Sequence, residues 1–495
     1  MKYTPAAAKC STGALHSPRC ANCGSRGGRG CKDEGGRMKG KDEGGSRKEE
    51  VSSKASDFPS SFRLSPSSFR VAIVGGGYAG MAAAAELGRR EIPVVVFETA
   101  KTLGGRARRV EINGVTLDNG LHIVIGAYRE TLRLIELTRR PQEASGLVRL
   151  PLELIVHPHF RLRAPRLPAP LNLAAALICA RGLDLAGRMK AAAFIASMRR
   201  QNFRLGTDTS VGHLLASCRQ PPAVTRYLWN PLCISALNTQ PYEASAQIFL
   251  NVLRDSFNGA RADSDLLLPT MDFSALFPER AADFVSRHSG SVRLGATVEA
   301  VRRTAGGFEV ADQDGRFSHV ILAVSPHRLN ALIAPHTELE EINKLVQAFS
   351  YQPIYSVFLQ YPPGSRLPFR MGGIEATYSQ WLFDRGRLCG QDGLIGVVIS
   401  ASGAHQELEQ EELARRVHAE LSAHFPGLGE PCWHRIIAEK RATFSCSVGL
   451  RRPGNRTPIP RLYLAGDYTA SDYPATLEAA VRSGVACAKL VLEDS

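Results

Sequence analysis

The strongest constraint on the fold of this chain is a strand, a tight turn and a helix that begin at residue 71. Val71–Val74 is a continuous apolar run, Gly75-Gly-Gly77-Tyr-Ala-Gly80 is rich in glycine, and residues 81–90 are rich in alanine. Such a turn directs backbone amides and a helix N-terminus at a pyrophosphate. A second apolar run, residues 94–97, ends in Glu98, where an acid accepts hydrogen bonds from an adenosine ribose. The pattern predicts a dinucleotide site in an α/β fold.

The residues of this turn have distinct expected roles. Gly75 forms the turn, Gly77 lets the phosphates approach the backbone, and Gly80 lets the helix pack closely on the strand. Tyr78 and Ala79 lie between them and begin the helix. We therefore expect all five residues to contribute to cofactor binding.

Two further segments favour FAD over NAD. Leu103-Gly104-Gly105-Arg106 follows the second strand, so that the chain can pass close to the flavin end of an extended dinucleotide while Arg106 faces phosphate. Near the C-terminus, residues 462–465 form a predicted strand that leads into Gly466-Asp467. Asp467 is placed to hydrogen-bond a ribityl or phosphate group, and the helix that begins at Thr476 and Leu477 directs its amides at the flavin.

Composition excludes several classes of function. A chain of 495 residues with 44% hydrophobic and 22% charged residues is typical of a globular protein. The net charge is +14, but residues 1–70 hold 14 basic and 7 acidic residues, so the remainder is only mildly basic and no nucleic-acid partner is expected. No apolar run is long enough for a membrane-spanning helix. Single cysteines spread over residues 179–487 favour reduced thiols and a cytoplasmic protein.

The first 69 residues differ from the rest of the chain. They are rich in Gly, Ser, Lys and Arg and contain the repeat Lys-Asp-Glu-Gly-Gly at residues 32 and 41. We interpret them as a disordered basic extension, with the translation start near Met38 or later. Cys20-x-x-Cys23 is half of a zinc motif, but the flanking spacings match no common zinc knuckle. We therefore predict no metal site.

The paired glycine and Gly-Asp segments resemble those of the flavin amine oxidase and phytoene desaturase superfamily, and the resemblance covers nearly all of residues 70–495. Further motifs look like those of its squalene-associated desaturase branch, the hydroxysqualene dehydroxylases. The chain departs from that branch at Leu121 and Tyr468, where Gln and Trp are expected near the flavin. The matching motifs are Asp118-Asn-Gly-Leu-His122, Gly126-Ala-Tyr-Arg129, Trp229-Asn-Pro-Leu-Cys233, Ala236-Leu-Asn-Thr239, Ser264-Asp-Leu-Leu-Leu-Pro269, Gln380-Trp-Leu-Phe-Asp-Arg385 and Ala465-Gly-Asp-Tyr-Thr469.

The resemblance implies reductive conversion of hydroxysqualene to squalene in bacterial hopanoid biosynthesis. Its implied partners are a hydrophobic isoprenoid substrate and an electron donor for the flavin, whose identity the sequence leaves open. Three alternatives stay open: an oxidative desaturase of carotenoid precursors, a flavin amine oxidase, and a lipid-escort protein that keeps the fold without chemistry. Against the amine oxidase, the pocket segments offer no obvious pair of aromatic residues to enclose an amine.

Dehydroxylation requires an acid near the leaving hydroxyl and a dry apolar pocket that holds a long hydrocarbon chain. His122, and less strongly Asp118, are candidates for the acid, because their segment follows the flavin-contacting glycines and should return toward the ring. A structural hydrogen bond is the alternative role for His122. We expect the substrate pocket to be lined by Trp229, Leu237, Asn238, Trp381 and Arg385, the last two in a strand-like run that closes it, although core packing or a structural ion pair explains each of them equally well.

Residues 171–198 have a helical pattern in which Arg181, Arg188 and Lys190 lie among apolar residues. This pattern suits a surface that rests on anionic lipid at the inner face of the plasma membrane and admits an oily substrate. Ordinary core helices with a basic solvent face explain it as well, and both interpretations stay open.

The predicted architecture is a Rossmann-like FAD-binding domain of the amine oxidase type, interleaved with an α+β substrate domain. A strand over residues 292–301 that includes Val298 is expected to contact the adenine. The predicted segments are the extension 1–69, FAD-binding parts 70–145, 285–335 and 441–495, a helical substrate part 146–284 and a second substrate part 336–440.

Overall fold

Both strands and helices are found along residues 69–257, 259–310, 313 and 315–494, the part of the chain that this computed structural model describes. The predicted extension and Cys20-x-x-Cys23 lie outside the described residues. The strands are β1 (Val71–Val74), β2 (Val94–Glu98), β3 (Arg109–Ile112), β4 (Val115–Asp118), β5 (Val124–Ile125), β6 (Leu147–Leu150), β7 (Glu153–His157), β8 (Phe160–Arg163), β9 (Leu266–Pro269), β10 (Ser291–Leu294), β11 (Val301–Thr304), β12 (Gly307–Val310), β13 (Arg316–Phe317), β14 (His319–Leu322), β15 (Tyr351–Gln360), β16 (Met371–Ile374), β17 (Trp381–Asp384), β18 (Leu394–Ser400), β19 (Trp433–Phe444) and β20 (Leu462–Leu464).

The helices are spread over the same range, and a π-helical turn, Thr225–Trp229, joins two of them. The α-helices are α1 (Tyr78–Gly88), α2 (Arg129–Thr138), α3 (Leu171–Ile178), α4 (Leu185–Arg200), α5 (Val211–Ser217), α6 (Pro222–Val224), α7 (Asn230–Leu237), α8 (Ala246–Phe257), α9 (Phe273–Leu276), α10 (Pro278–Arg287), α11 (Pro326–Ile333), α12 (Glu340–Gln347), α13 (Arg385–Cys389), α14 (Gln410–His424) and α15 (Leu477–Glu493).

A five-stranded parallel sheet in the order β10-β2-β1-β14-β20 carries the glycine turn. The central strand β1 pairs Val71 with Val94 of β2 and with His319 of β14, and all four of its residues are buried. Its five strands come from three well-separated stretches of the chain, and the alternation with helices confirms the predicted α/β class. The predicted domain boundaries stay predictions.

Helix α1 is buried along its whole length, because α10 and α15 pack against it. Its run of four alanines leaves room for these neighbours, and a Cβ at Gly484 of α15 would lie 2.1 Å from the Ala79 carbonyl oxygen. Small residues at this crossing therefore let two helix backbones meet, which fixes the start of α1 against the middle of α15.

A second sheet has seven strands in the order β19-β15-β18-β17-β16-β7-β8. Its strands pair antiparallel except for β16 with β7, which are parallel. Leu413, Val417 and Leu421 of α14 pack in one hydrophobic cluster with side chains of β15 and β18. Trp381 and Phe383 of β17 point to the opposite face, since side chains alternate along a strand.

Two predictions about local structure are wrong. The strand expected over residues 292–301 ends at Leu294, because Gly295 adopts a φ of +67° and the amides of Gly295 and Ala296 bond to the loop after β2. Val298 therefore lies in irregular chain. Arg385, predicted in a strand-like run, begins α13, where the Asp384 side chain caps the helix by accepting from the Arg387 amide.

Among the described helices, none has both the length and the apolar character that crossing a bilayer requires. The seven cysteines in the described part of the chain are all free thiols: Cys179, Cys218, Cys233, Cys389, Cys432, Cys446 and Cys487.

Candidate functional site

A cavity of about 730 Å³, here called the larger cavity, opens at the carboxyl ends of the parallel strands and at the starts of α1 and α15. This edge is where open α/β sheets bind their ligands. Gly80 is the single predicted cofactor residue outside its wall. The others all line it: Gly75, Gly77, Tyr78, Ala79, Glu98, Gly104, Gly105, Arg106, Val298, Gly466, Asp467, Thr476 and Leu477.

The glycine turn provides a cradle for an anion. Gly75 has a φ of +112°, and a Cβ there would lie 2.4 Å from the Ala323 carbonyl oxygen. Gly77 differs, because its φ of −77° suits any residue and a Cβ would meet only the Gly105 Cα at 3.9 Å. Helix α1 starts beside it without a side-chain cap and without an acid in its first turn. The first amides of α1 thus remain available to a pyrophosphate, which fits the predicted FAD.

Gly80 acts from outside the cavity. A Cβ at this position would lie 1.9 Å from the Gly75 carbonyl oxygen and 3.2 Å from the Ala323 Cβ. The missing side chain lets α1 lie directly on the turn, as the sequence predicts.

Glu98 closes one end of the larger cavity. Its carboxylate accepts hydrogen bonds from the Gly76 amide at 2.6 Å and from the Ala100 amide at 2.8 Å. A carboxylate has about four acceptor positions, so each oxygen keeps one for a further donor. The two amides fix the carboxylate where a ribose hydroxyl can donate to it.

Arg106 and Asp467 meet in the wall of the larger cavity. Arg106 Nη2 lies 2.5 Å from Asp467 Oδ1, and Nη1 donates to the Ala442 carbonyl at 2.7 Å. Asp467 is buried, whereas about a third of the Arg106 side chain is exposed. The pair joins segments 361 residues apart and places one cation and one anion at the predicted flavin end of the cavity.

His122 lines the larger cavity as a neutral ring. It packs edge-on against Phe273, with ring centroids 5.2 Å apart, and the Arg106 backbone accepts a hydrogen bond from it. Nε2 is buried without a partner among the described residues. Burial lowers the pKa of His122 to about 4, so the imidazole carries no charge at pH 7. A neutral imidazole is a weak proton donor, which argues against the predicted acid role of His122, and its buried Nε2 is left without a partner in a ring that lines the cavity.

The pKa of His122 predicts a stability change in acid. The unfolded chain binds a proton at His122 near pH 6.5 and the folded chain near pH 4, so unfolding becomes easier as pH falls through this window. Between pH 7 and pH 5, His122 should cost the wild-type protein about 2 kcal/mol of unfolding free energy, and His122→Gln should not show this part of the loss. Urea titration of FAD-free protein at the two pH values measures the difference. His213→Gln, at an exposed position, is the matched control. An equal loss in wild type and His122→Gln would contradict the assignment.

Asp118 lies behind the site. It is 1% exposed, accepts from the Phe273 amide at 2.8 Å, and has Arg385 Nη1 at 3.8 Å from its second oxygen. Burial raises the pKa of Asp118 to about 7, against the effects of the Phe273 amide and Arg385. Neither residue lines a described cavity. The predicted acid role of Asp118 and the predicted pocket role of Arg385 are therefore corrected to a buried ionic contact.

A second cavity of about 380 Å³, here called the apolar cavity, lies among α3, α4, α7, α8, β7 and β8. Trp229 forms part of its wall and is 1% exposed, with its indole N–H donating to Gln220 at 2.8 Å and its ring edge-on to Phe194. Most of the wall is aliphatic. Asp255 and Asp263 also border it, but they accept from Tyr473 and Arg129, at 2.7 and 2.8 Å.

The two cavities share one stretch of wall, here called the junction. Its polar members are Tyr128, Ser235 and Thr476. The Ser235 hydroxyl donates to the Pro231 carbonyl, and Thr476 hydrogen-bonds the Tyr128 phenol. The complete set is Ile123, Tyr128, Ser235, Ala236, Met371, Trp381 and Thr476.

The remaining predicted pocket residues divide between wall and core. Trp381 lines both cavities, and Asn238 lines the larger one. The Asn238 amide is occupied, since it accepts from the Ala401 amide at 2.7 Å and donates to Thr443 at 2.9 Å. Leu237 is 1% exposed and lines neither cavity, so its predicted pocket role is corrected to core packing. Tyr468 is also buried outside both walls, whereas Leu121 lines the larger cavity.

Sequence reasoning missed Tyr128, Ser235 and Met371 as site residues. Tyr128 stands in the motif Gly126-Ala-Tyr-Arg129, so the motif carried the signal, but nothing local shows that its side chain reaches a cavity. Ser235 lies on α7, one turn before the predicted Asn238, and Met371 begins β16.

Comparison with known proteins gives a family match and several full-length relatives. The model of the family described as flavin containing amine oxidoreductase matches residues 78–492. The hydroxysqualene dehydroxylase of Zymomonas mobilis is 26% identical over 86% of this chain and 99% of its own length. That of Rhodopseudomonas palustris is 28% identical over 85% and 98%. The 15-cis-phytoene desaturase of Solanum lycopersicum is 23% identical over 88% and 80%.

Solved structures share the fold. The crystal structure of an oxidoreductase from Methanosarcina mazei matches with a TM-score of 0.66 and 15% identity, over 84% of this chain and 99% of that one. At this identity the likeness concerns the fold alone.

Proposed function

Since this chain belongs to the family of flavin containing amine oxidoreductases, we propose that it reduces hydroxysqualene to squalene, a step of hopanoid biosynthesis. The chain is an FAD-dependent oxidoreductase. Bound and reduced FAD supplies a hydride to a substrate carbon. The proposal concerns the identity of the substrate that receives this hydride.

The residues of the larger cavity are proposed to hold FAD in an extended form. The amides at the start of α1, beside Gly77, would bind the pyrophosphate, and Glu98 would bind the adenosine ribose. Arg106 and Asp467 would contact the ribityl or phosphate groups. The amides that follow Thr476 at the start of α15 would face the flavin ring.

The observation that carries the substrate proposal is the junction. An apolar cavity that shares the wall formed by Ile123, Met371 and Trp381 with the cofactor cavity suits a long hydrocarbon. It offers an amine little, because the carboxylates that border it, Glu153, Asp255 and Asp263, already accept hydrogen bonds from Arg161, Tyr473 and Arg129. The similarity to two hydroxysqualene dehydroxylases over nearly their whole length supports the same reading.

Tyr128 is the proposed proton donor. In the overall reaction the carbon–oxygen bond of the alcohol breaks, a hydride takes its place on carbon, and the oxygen leaves as water after accepting a proton. Burial raises the pKa of Tyr128, so the phenol keeps its proton throughout the physiological range. Thr476 orients it at the junction, where a substrate held in the apolar cavity would present its hydroxyl.

The apolar side chains at the junction have a second task. Loss of a hydroxyl from an allylic carbon develops positive charge, which water would capture. Ile123, Met371 and Trp381 would exclude water from this point, and the aromatic ring of Trp381 would stabilise the developing charge.

An oxidative desaturase of carotenoid precursors is the second candidate, and the similarity to the tomato phytoene desaturase favours it. The same cavities suit a polyene, but in a desaturase the electrons pass from the substrate to the flavin instead of from the flavin to the substrate. Such an enzyme would need no proton donor for a leaving hydroxyl.

The direct test is anaerobic incubation of the photoreduced protein with hydroxysqualene, followed by extraction for squalene while the yellow flavin absorption is recorded. We expect squalene to form as the yellow colour returns. Protein that stays reduced and forms no squalene would contradict the proposal and turn attention to phytoene-like polyenes. A colourless protein that cannot be reconstituted with FAD would contradict the cofactor assignment.

We further propose a cytoplasmic enzyme that works at the inner face of the plasma membrane and receives electrons from a separate donor. Both follow from the substrate, because a hydrocarbon of this length dissolves in lipid rather than in water, and each round of dehydroxylation consumes two electrons.

A further inference from the structure

Large apolar side chains are exposed together on one surface. Eight such side chains are exposed among the described residues, and five of them lie between residues 167 and 189. We call these five the apolar patch. Its members, with their exposed fractions, are Leu167 (41%), Leu171 (59%), Ile178 (55%), Leu185 (69%) and Met189 (58%).

Four of the five patch residues lie on a hairpin of α3 and α4, and Leu167 precedes α3. Arg188 fastens the two helices, because its guanidinium donates to the carbonyls of Ile178 and Leu183, both at 2.9 Å. On α4 the exposed positions Leu185, Met189 and Ala193 are four residues apart and form one stripe. The hairpin therefore combines an exposed apolar stripe on α4 with the exposed Leu171 and Ile178 of α3.

The same region contains the positive charge of the folded chain. Residues 161–204 hold nine Lys and Arg and a single acid, Asp184, a net charge of +8. Residues 71–495 together hold 47 basic and 40 acidic residues, a net charge of +7, so this segment accounts for all of it. Several of these cations make no side-chain hydrogen bond or ion pair with any described residue: Arg163, Arg166, Arg181, Lys190, Arg199 and Arg200.

The hairpin also forms the outer wall of the apolar cavity. Ala174 on α3 and Ala196 on α4 line the cavity and are exposed to solvent, while Leu173 and Leu177 line it from α3. Part of the cavity wall is therefore exposed on the same two helices that carry most of the apolar patch. A lipid that enters between these helices would meet mostly apolar side chains, with Arg199 of α4 as a cation in the cavity wall.

We propose that the α3–α4 hairpin docks on an anionic lipid bilayer and passes the substrate from the bilayer into the apolar cavity. The apolar patch enters the boundary between headgroups and acyl chains, and the unpaired cations contact the anionic headgroups. The charge imbalance selects this partner, because a surface of net charge +8 with an apolar edge complements anionic lipid. Substrate transfer rests on the proposed function, whereas docking does not.

Co-sedimentation of the purified full chain with vesicles tests the docking. We expect binding to phosphatidylcholine vesicles that contain phosphatidylserine, and at least tenfold weaker binding to phosphatidylcholine alone or in high salt. Lys190→Gln with Arg200→Gln should weaken binding about 25-fold, since each cation near the surface contributes about fivefold. Leu185→Ser with Met189→Ser should weaken it at least tenfold.

Tyr242→Ser is the matched control, because Tyr242 is 71% exposed and lies outside residues 167–189. It should bind vesicles like wild type, and thermal unfolding should be unchanged in all variants. Equal binding to neutral and anionic vesicles, or no effect of either double variant, would overturn the proposal. A third result would also overturn the proposal: light scattering shows a dimer for wild type and a monomer for the Leu185→Ser, Met189→Ser variant, while both bind vesicles equally. The patch would then contact a second copy of the chain.

Transfer of the substrate from the bilayer is measured separately from docking. With hydroxysqualene in vesicles the double variants should form squalene at least tenfold more slowly, and with detergent-dispersed substrate at the wild-type rate. No squalene from any protein under either condition would refute the proposed reaction and leave the docking result standing. Equal slowing in vesicles and detergent would refute transfer through the hairpin.

Discussion

Replacing Tyr128 by phenylalanine is expected to lower the rate of squalene formation by about 10²- to 10⁴-fold, the usual contribution of a positioned proton donor. The ring, and with it the shape of the junction, is retained, while the proton that would leave with the hydroxyl is lost. FAD content and the thermal stability of the protein should not change, because the cofactor is held by other residues. Single-turnover measurement of the photoreduced protein isolates this step.

Tyr473→Phe provides the matched control. Tyr473 also lines the apolar cavity, but it lies outside the larger cavity and its hydroxyl donates to Asp255 at 2.7 Å. This variant should stay within about threefold of wild type, well below the effect of a proton donor. A Tyr128→Phe enzyme with near wild-type rate would show that Tyr128 takes no part in the reaction.

Burial raises the pKa of the Tyr128 phenol above its usual value, so the phenol keeps its proton up to about pH 10. The rate of the wild-type enzyme should therefore show no fall below that pH that is caused by loss of this proton.

Gly77→Ala is expected to lower the affinity for FAD by about 10- to 100-fold without destabilising the FAD-free protein. The backbone of Gly77 tolerates a side chain, and the new Cβ would meet no protein atom closer than 3.9 Å. The added methyl group projects instead into the cavity where the pyrophosphate is proposed to lie, and a misplaced methyl group costs about 1 to 3 kcal/mol. Fluorescence titration of FAD-free protein with FAD gives the affinity.

Gly80→Ala separates cofactor binding from folding. Its Cβ would lie 1.9 Å from the Gly75 carbonyl oxygen, and no rotation relieves a clash between backbone and Cβ. We expect a loss of about 3 kcal/mol or more in unfolding free energy, measured by urea titration of FAD-free protein. If Gly77→Ala bound FAD like wild type, the pyrophosphate would not lie on this turn. If instead it unfolded as easily as Gly80→Ala, the distinction drawn between the two glycines would be wrong.

The cofactor end of the site could be predicted from sequence because its determinants are local. A strand, a turn with glycines at positions 75, 77 and 80, and an acid at position 98 lie within 30 residues, and backbone sterics give each glycine one role. The second half, Gly466-Asp467 with the helix after it, is equally short. The structure brings all of these residues except Gly80 to the wall of one cavity.

The substrate end was predicted poorly because strand alternation and burial decide it. Trp381 and Phe383 of β17 line the larger cavity, whereas Leu382 and Asp384 face the other way, and Arg385 already belongs to a helix. The sequence of this segment does not show which of the five residues face a cavity. Only the position of the strand in the sheet selects two of them.

The sequence by itself therefore determined the α/β fold, the dinucleotide turn and the family, since each depends on short patterns whose geometry is set by neighbouring residues. The tertiary structure alone decided which residues meet at the junction, because Ile123 and Tyr128, Ser235, Met371 and Thr476 come from four separate parts of the chain. It also decided the protonation states, since a pKa depends on burial and on nearby charges. For that reason the candidate acid moved from His122, a ring kept neutral by burial, to the phenol of Tyr128.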